Sequence, residues 1–162
     1  MESTVRELEL ASQELVRRFM ERGLSFATAE SLTGGMIAAA VAAVPGASSV
    51  LMGGVVSYDP RVKHELLGVS QAVIDTVGVV SEACAREMAQ GARLVLKVDV
   101  AVSATGIAGP GGGTAQTPVG TVFLGVCGPA GTRVEKHLFT GDRQSVREQS
   151  ACRALELALE AI

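Results

Sequence analysis

Three observations predict an α/β fold, a three-layer α/β/α sandwich around a mixed sheet. Strand-like runs of β-branched and apolar residues alternate with segments whose apolar positions repeat near the helical period. Residues 31–58 and 100–132 carry no charged side chain, yet glycine and proline interrupt both, so they read as buried strands joined by turns and not as membrane helices. The last two strand-like runs are separated only by Gly128-Pro129-Ala130-Gly131, too short for a crossover. That spacing calls for an antiparallel hairpin and makes the sheet mixed.

Each element has its own signal. Val5, Leu8, Ala11, Leu15, Val16 and Phe19 share one helical face, which predicts a helix over 3–22 ended by Gly23. A short strand over 24–29 and an alanine-rich helix over 35–44 follow, the latter stopped before Pro45-Gly46. Residues 50–58 suit a strand. Asp59-Pro60 then combines a capping carboxylate with a first-turn proline, starting a helix that Gly68 ends. Helices over 71–76 and 81–96, strands over 98–105, 119–127 and 134–140, and a closing helix from the Asp142 cap to Ala161 complete the order. One domain of 162 residues is expected, a length that hides about 69% of the unfolded surface.

Composition excludes several function classes. The net charge of −3 offers no basic field for a nucleic-acid backbone, and four Phe, one Tyr and no Trp leave few stacking platforms for single strands. Cys84, Cys127 and Cys152 fit neither an even disulfide framework nor a close-set zinc spacing, so three buried, reduced thiols are expected. Residues 1–16 hold four Glu and no apolar core, unlike an export signal, which makes a cytoplasmic location the expectation.

Reactive side chains meet unusual backbone in three places. Thr28-Ala29-Glu30-Ser31-Leu32-Thr33-Gly34-Gly35 lies where a strand turns into a helix. A serine there exposes its hydroxyl at the sheet edge beside unpaired N–H groups; alternatively, Ser31 or Thr33 only caps the helix. In Ser57-Tyr58-Asp59-Pro60-Arg61-Val62-Lys63, Tyr58 precedes the cap and Lys63 is the fourth helical residue, the two positions a hydrophobic staple joins, so the single tyrosine should lie near a lysine. The plainer alternative is an exposed lysine with the ring on its stem. Thr105-Gly106-Ile107-Ala108-Gly109-Pro110-Gly111-Gly112-Gly113-Thr114 places five glycines in the nine residues from Thr105 to Gly113, a loop that can approach an anion closely or simply flex; no Walker lysine accompanies it.

His64 and His137 are the only histidines, in separate segments, and read as surface or lightly packed residues, so a nucleophilic Ser31 needs another base. A desolvated lysine is the known substitute, its pKa lowered by roughly three units from about 10.4. A carboxylate touching Lys63 would act in the opposite sense, so Glu30 and Asp59 should point away from the amine. The chemistry this supports is acyl transfer, such as amide or ester hydrolysis.

These motifs, together with Pro118-Val119-Gly120-Thr121-Val122 and Gly141-Asp142-Arg143, resemble the C-terminal domain of the CinA competence/damage-inducible family from about Leu8 onward. The stand-alone members of that family are nicotinamide-nucleotide amidases, which hydrolyse nicotinamide mononucleotide (NMN) to nicotinic acid mononucleotide and ammonia. The resemblance implies Ser31 as nucleophile with Lys63 and Tyr58 as the activating pair. It also implies substrate contacts from Glu30, Thr33, Gly34, Gly35, Thr105 and Gly106, and a phosphate contact from Arg143, with Arg147 on the same helical face a weaker candidate. No metal or other cofactor is implied, and a homodimer is. Leu32 stands where the family usually has Cys, and the family's N-terminal molybdopterin-binding-like domain has no counterpart in this sequence. A second hypothesis is a catalytically silent module that binds nucleotides or a protein partner linked to competence and recombination.

Overall fold

The computed structural model describes residues 2–162. Its elements are α1 (Glu2–Arg22), β1 (Phe26–Glu30), α2 (Met36–Ala42), a 3-10 turn (Ala47–Ser49), β2 (Leu51–Val56), α3 (Pro60–Leu67), α4 (Gln71–Thr76), α5 (Glu82–Leu96), β3 (Val100–Gly106), β4 (Thr121–Gly128), β5 (Gly131–Leu138) and α6 (Arg143–Glu160). The local signals explain most boundaries. Asp59, Ser70, Ser81 and Asp142 cap α3, α4, α5 and α6, each accepting from a first-turn N–H. The strand ends differ from expectation: β1 begins at Phe26, β2 stops at Val56, and β3 and β4 begin at Val100 and Thr121. The 3-10 turn falls where no element is expected, and β5 begins at Gly131 because Gly128 pairs directly with Gly131, leaving Pro129-Ala130 as a two-residue turn.

The sheet has the order β2-β1-β3-β4-β5. β1 runs parallel to both β2 and β3, while β3–β4 and β4–β5 are antiparallel, which is the mixed sheet the hairpin required. Strand alternation sorts side chains into two cores. On one face Phe26, Val102, Ala104, Leu124 and Val126 pack with Leu15 and Phe19 of α1, Ile37 and Val41 of α2, and Val146 and Leu155 of α6. On the other, Ala27, Ala29 and Ala101 meet Leu67 and Val69 at the end of α3 and Cys84, Met88 and Ala92 of α5. Complete burial of each large apolar side chain contributes about 1.5–3 kcal/mol.

The second face uses small residues, and its helices therefore sit close. Ser103 Oγ donates to the Ala85 carbonyl at 2.6 Å, joining β3 to α5. A Cβ at Gly91 of α5 would stand 1.8 Å from the Leu67 carbonyl oxygen, so the end of α3 rests on bare backbone. This contact sets how α3 presents its inner face to the strand ends.

The chain leaves β1 toward β2 and leaves β3 toward β4, in opposite directions from neighbouring strands. Such a divergence opens a crevice at the carboxyl ends of the strands. Ser31 follows β1, Tyr58 follows β2, and Thr105-Gly106 end β3, so all three motifs converge there. All three cysteines are buried and free. Among the described residues no helix is long and apolar enough to cross a membrane, and no cluster of ligating side chains could hold a metal ion.

Candidate active site

A cavity of about 280 Å³ occupies the crevice. It is lined by Ser31, Leu32, Tyr58, Lys63, Val79, Val80, Thr105, Arg143 and the glycine loop that begins at Gly106. At its floor the Lys63 amine is 2.8 Å from Ser31 Oγ. The amine also donates to the backbone carbonyls of Ser57 at 2.5 Å and Tyr58 at 3.5 Å. Lys63 is 1% exposed although it is the fourth residue of a short surface helix. Its stem is directed inward because α3 rests on α5 at Gly91.

Burial lowers the Lys63 pKa, and the weaker influences of Cys84 and Asp59 oppose that shift. No carboxylate forms an ion pair with the amine among the described residues. The two acids expected to point away from it are engaged elsewhere: Asp59 accepts from the Arg61 N–H at 2.8 Å, and Glu30 accepts from the N–H groups of Ile37 and Ala38 at 2.8 and 3.0 Å and from the Thr28 hydroxyl at 3.1 Å. The lysine is thus desolvated without a counter-ion, the condition under which an amine gives up its proton most readily.

The predicted residues fall into two groups. Ser31, Lys63, Tyr58, Thr105, Gly106 and Arg143 all line the cavity. Glu30, Thr33, Gly34 and Gly35 do not. Glu30 is 1% exposed and serves as a remote cap of α2, whose own N-cap residue, Gly35, has no side chain to offer. A buried carboxylate at a helix N-terminus satisfies free N–H groups and the dipole together. Thr33 is buried with its hydroxyl unpartnered, and Gly34 and Gly35 supply the positive φ of the turn.

Tyr58 and Lys63 lie together as expected, and the hydrogen bond between them runs through the backbone: Lys63 bonds to the Tyr58 carbonyl, while the phenol, on a residue 59% exposed, accepts from Arg143 Nη2 at 2.9 Å. Arg143 also donates to the Gly109 carbonyl at 2.7 Å, tying the glycine loop to the rim. Thr105 Oγ1 donates to the Val79 carbonyl at 2.8 Å and holds the segment before α5 against the cavity. Sequence reasoning gave no role to Val79 and Val80, which carry no reactive group and enter the site only through the packing of that segment.

The N–H of Leu32, immediately after the serine, has no acceptor among the described residues, and neither does that of Ala108 in the glycine loop. Both residues line the cavity, so it holds a hydroxyl, a desolvated amine and free amide donors. That set can bind a carbonyl compound and develop negative charge on its oxygen. His64 and His137 lie outside it, His64 bonded to the Val69 carbonyl and His137 to Glu135.

An α/β sandwich with a serine and a buried lysine in contact at its strand ends defines a structural class, and comparison with known proteins supplies the family. The chain belongs to the CinA C-terminal domain family, whose model matches residues 8–162. It is 45% identical over 148 residues to a CinA-like protein of Syntrophotalea carbinolica, covering 91% of this chain and 36% of the relative. A CinA-like protein of Anaeromyxobacter sp. strain K is 48% identical over 143 residues, 88% of this chain and 35% of its own length. The chain therefore spans about a third of the length of the curated relatives it matches. Among solved structures, the competence/damage inducible protein CihA from Agrobacterium tumefaciens superposes with a TM-score of 0.94 at 36% identity, covering 96% of this chain and 95% of that one. A competence-damaged protein (CinA) superfamily protein from Escherichia coli gives 0.91 at 32% identity, covering 96% and 90%.

Proposed function

We propose that this chain is a nicotinamide-nucleotide amidase that hydrolyses NMN to nicotinic acid mononucleotide and ammonia through an acyl-enzyme on Ser31. The observation that carries this reading is the 2.8 Å contact between Ser31 Oγ and a lysine amine that burial has pushed toward its neutral form. A neutral amine keeps two N–H groups, which the Ser57 and Tyr58 carbonyls accept, and one lone pair, which accepts the Ser31 proton. The serine oxygen attacks the carboxamide carbon while the N–H groups of Leu32 and Ala108 take the oxyanion. Lys63 then passes its proton to the departing nitrogen, ammonia leaves, and water activated by the same amine releases the acid and frees Ser31.

The cavity is at the small end of the range for ligand sites, about 300 Å³ upward, which suits a mononucleotide better than a dinucleotide. Arg143 on the rim supplies a cation for the substrate phosphate once it releases Gly109 and the Tyr58 phenol. No step requires a metal. The test is ammonia release from NMN by the purified protein in EDTA. Release is expected, with a loss of at least about 10³-fold in Ser31→Ala and in Lys63→Ala. Silence of the wild type, or undiminished release from Ser31→Ala, defeats the assignment. NMN binding without turnover would transfer it to the non-catalytic binding module.

A further inference from the structure

Arg147 is one turn beyond Arg143 on α6, yet its guanidinium faces the protein. Nε donates to the Leu32 carbonyl at 2.9 Å, Nη2 to the Thr33 carbonyl at 3.1 Å, and Nη1 to the Gln144 side chain at 2.9 Å. It therefore holds two consecutive carbonyls of the turn that follows Ser31, from an element 114 residues away in sequence.

Peptide planarity extends that grip toward the cavity. A trans peptide directs its C=O and N–H in opposite senses, so fixing the Thr33 carbonyl fixes the Gly34 N–H. That N–H donates to the Ser31 carbonyl at 3.0 Å, which in turn fixes the N–H of Leu32, the donor that has no acceptor among the described residues. On the opposite side Glu30 holds the N–H groups of Ile37 and Ala38. The turn is thus held by a cation on its carbonyls, and the helix that follows it by an anion on its first amides.

We infer that Arg147 is a positioning residue for the reaction, holding the Ser31 turn so that the Leu32 N–H is presented to the developing oxyanion. The inference rests on the amidase reading for its kinetic consequence and on the hydrogen-bond pattern alone for its structural one. Misplacing a reacting group by about 1 Å costs about 10²-fold in rate. Arg147→Gln should therefore lower kcat for NMN by about 10- to 100-fold while KM stays within about twofold, because the residue does not line the cavity. In Arg147→Ala, added methylguanidinium should restore part of kcat, a recovery that a simple loss of packing would not allow.

Amide hydrogen exchange provides a readout independent of turnover. In Arg147→Gln the segment 31–35 should exchange at least about tenfold faster while β3 and α5 keep their protection. Unchanged exchange in that segment overturns the inference whatever the activity, as does a loss carried by KM alone. Faster exchange in the variant beside an inactive wild type leaves the clamp standing and removes the amidase reading.

Discussion

At the scale of single residues the site depends on placing a lysine where its charge is least welcome. A lysine whose folded pKa lies below its unfolded value binds fewer protons when folded, so stability rises with pH between those two values. Below that window the protein bears the cost of a buried ammonium. Lys63→Met, similar in length and apolar, should therefore raise stability at neutral pH by about 0.5–2 kcal/mol while abolishing turnover, read by thermal melting beside the ammonia assay. A lower melting point would show that the amine is well solvated or paired. For the same reason kcat/KM for NMN should climb with pH through the lowered lysine pKa and then level, measured from about pH 5 to pH 10. A profile that stays flat there would remove Lys63 as the base.

At the scale of elements, the caps and stops were readable because they are local. Asp59-Pro60, Ser81 and Asp142 begin helices through bonds within their own first turn, and Gly68 ends α3 in the left-handed conformation. The close approach of α3 to α5 was not readable, since nothing in the run around Gly91 marks Leu67 as its neighbour. It nevertheless controls the site, because α3 carries Lys63. Gly91→Ala should push α3 outward, costing about 1–3 kcal/mol in denaturant unfolding and lowering kcat at least about tenfold as the amine leaves Ser31. Normal turnover in a correctly folded Gly91→Ala protein would mean that α3 is not located by this contact.

Over the whole molecule, carboxylates tie the outer elements together. Glu135 on β5 accepts from Arg153 of α6 at 2.8 and 3.0 Å and from His137 at 2.8 Å, and these hydrogen bonds, the Arg153 pair first, hold its pKa down at about 2. Arg153 also meets Glu156 and Glu160, and Glu160 pairs with Arg133. Asp99 is lowered as well, by the backbone and hydroxyl donors of Ser25, linking the starts of β1 and β3. For each group the folded pKa lies below the unfolded one. Their contribution is therefore complete above the ordinary carboxylate range and is lost as pH falls through it, for Glu135 toward about 2. Melting temperature should fall between about pH 5 and pH 2.5, and less steeply in Glu135→Gln than in the wild type. Parallel curves would remove Glu135 from the acid response.

Hydrophobic period, capping residues and turn glycines were enough to specify the layers, the hairpin and the three motifs that meet at the strand ends, because each acts within a few residues of itself. The partners of the reactive groups were not contained in those patterns. Tyr58 bonds to Arg143, 85 residues away, Glu30 to the first amides of α2, and Arg147 to a turn no spacing connects to it. Pairings at such distances arise when β1 takes its place between β2 and β3 and α6 packs on the face of the sheet. Only then do a hydroxyl and an amine 32 residues apart come within 2.8 Å.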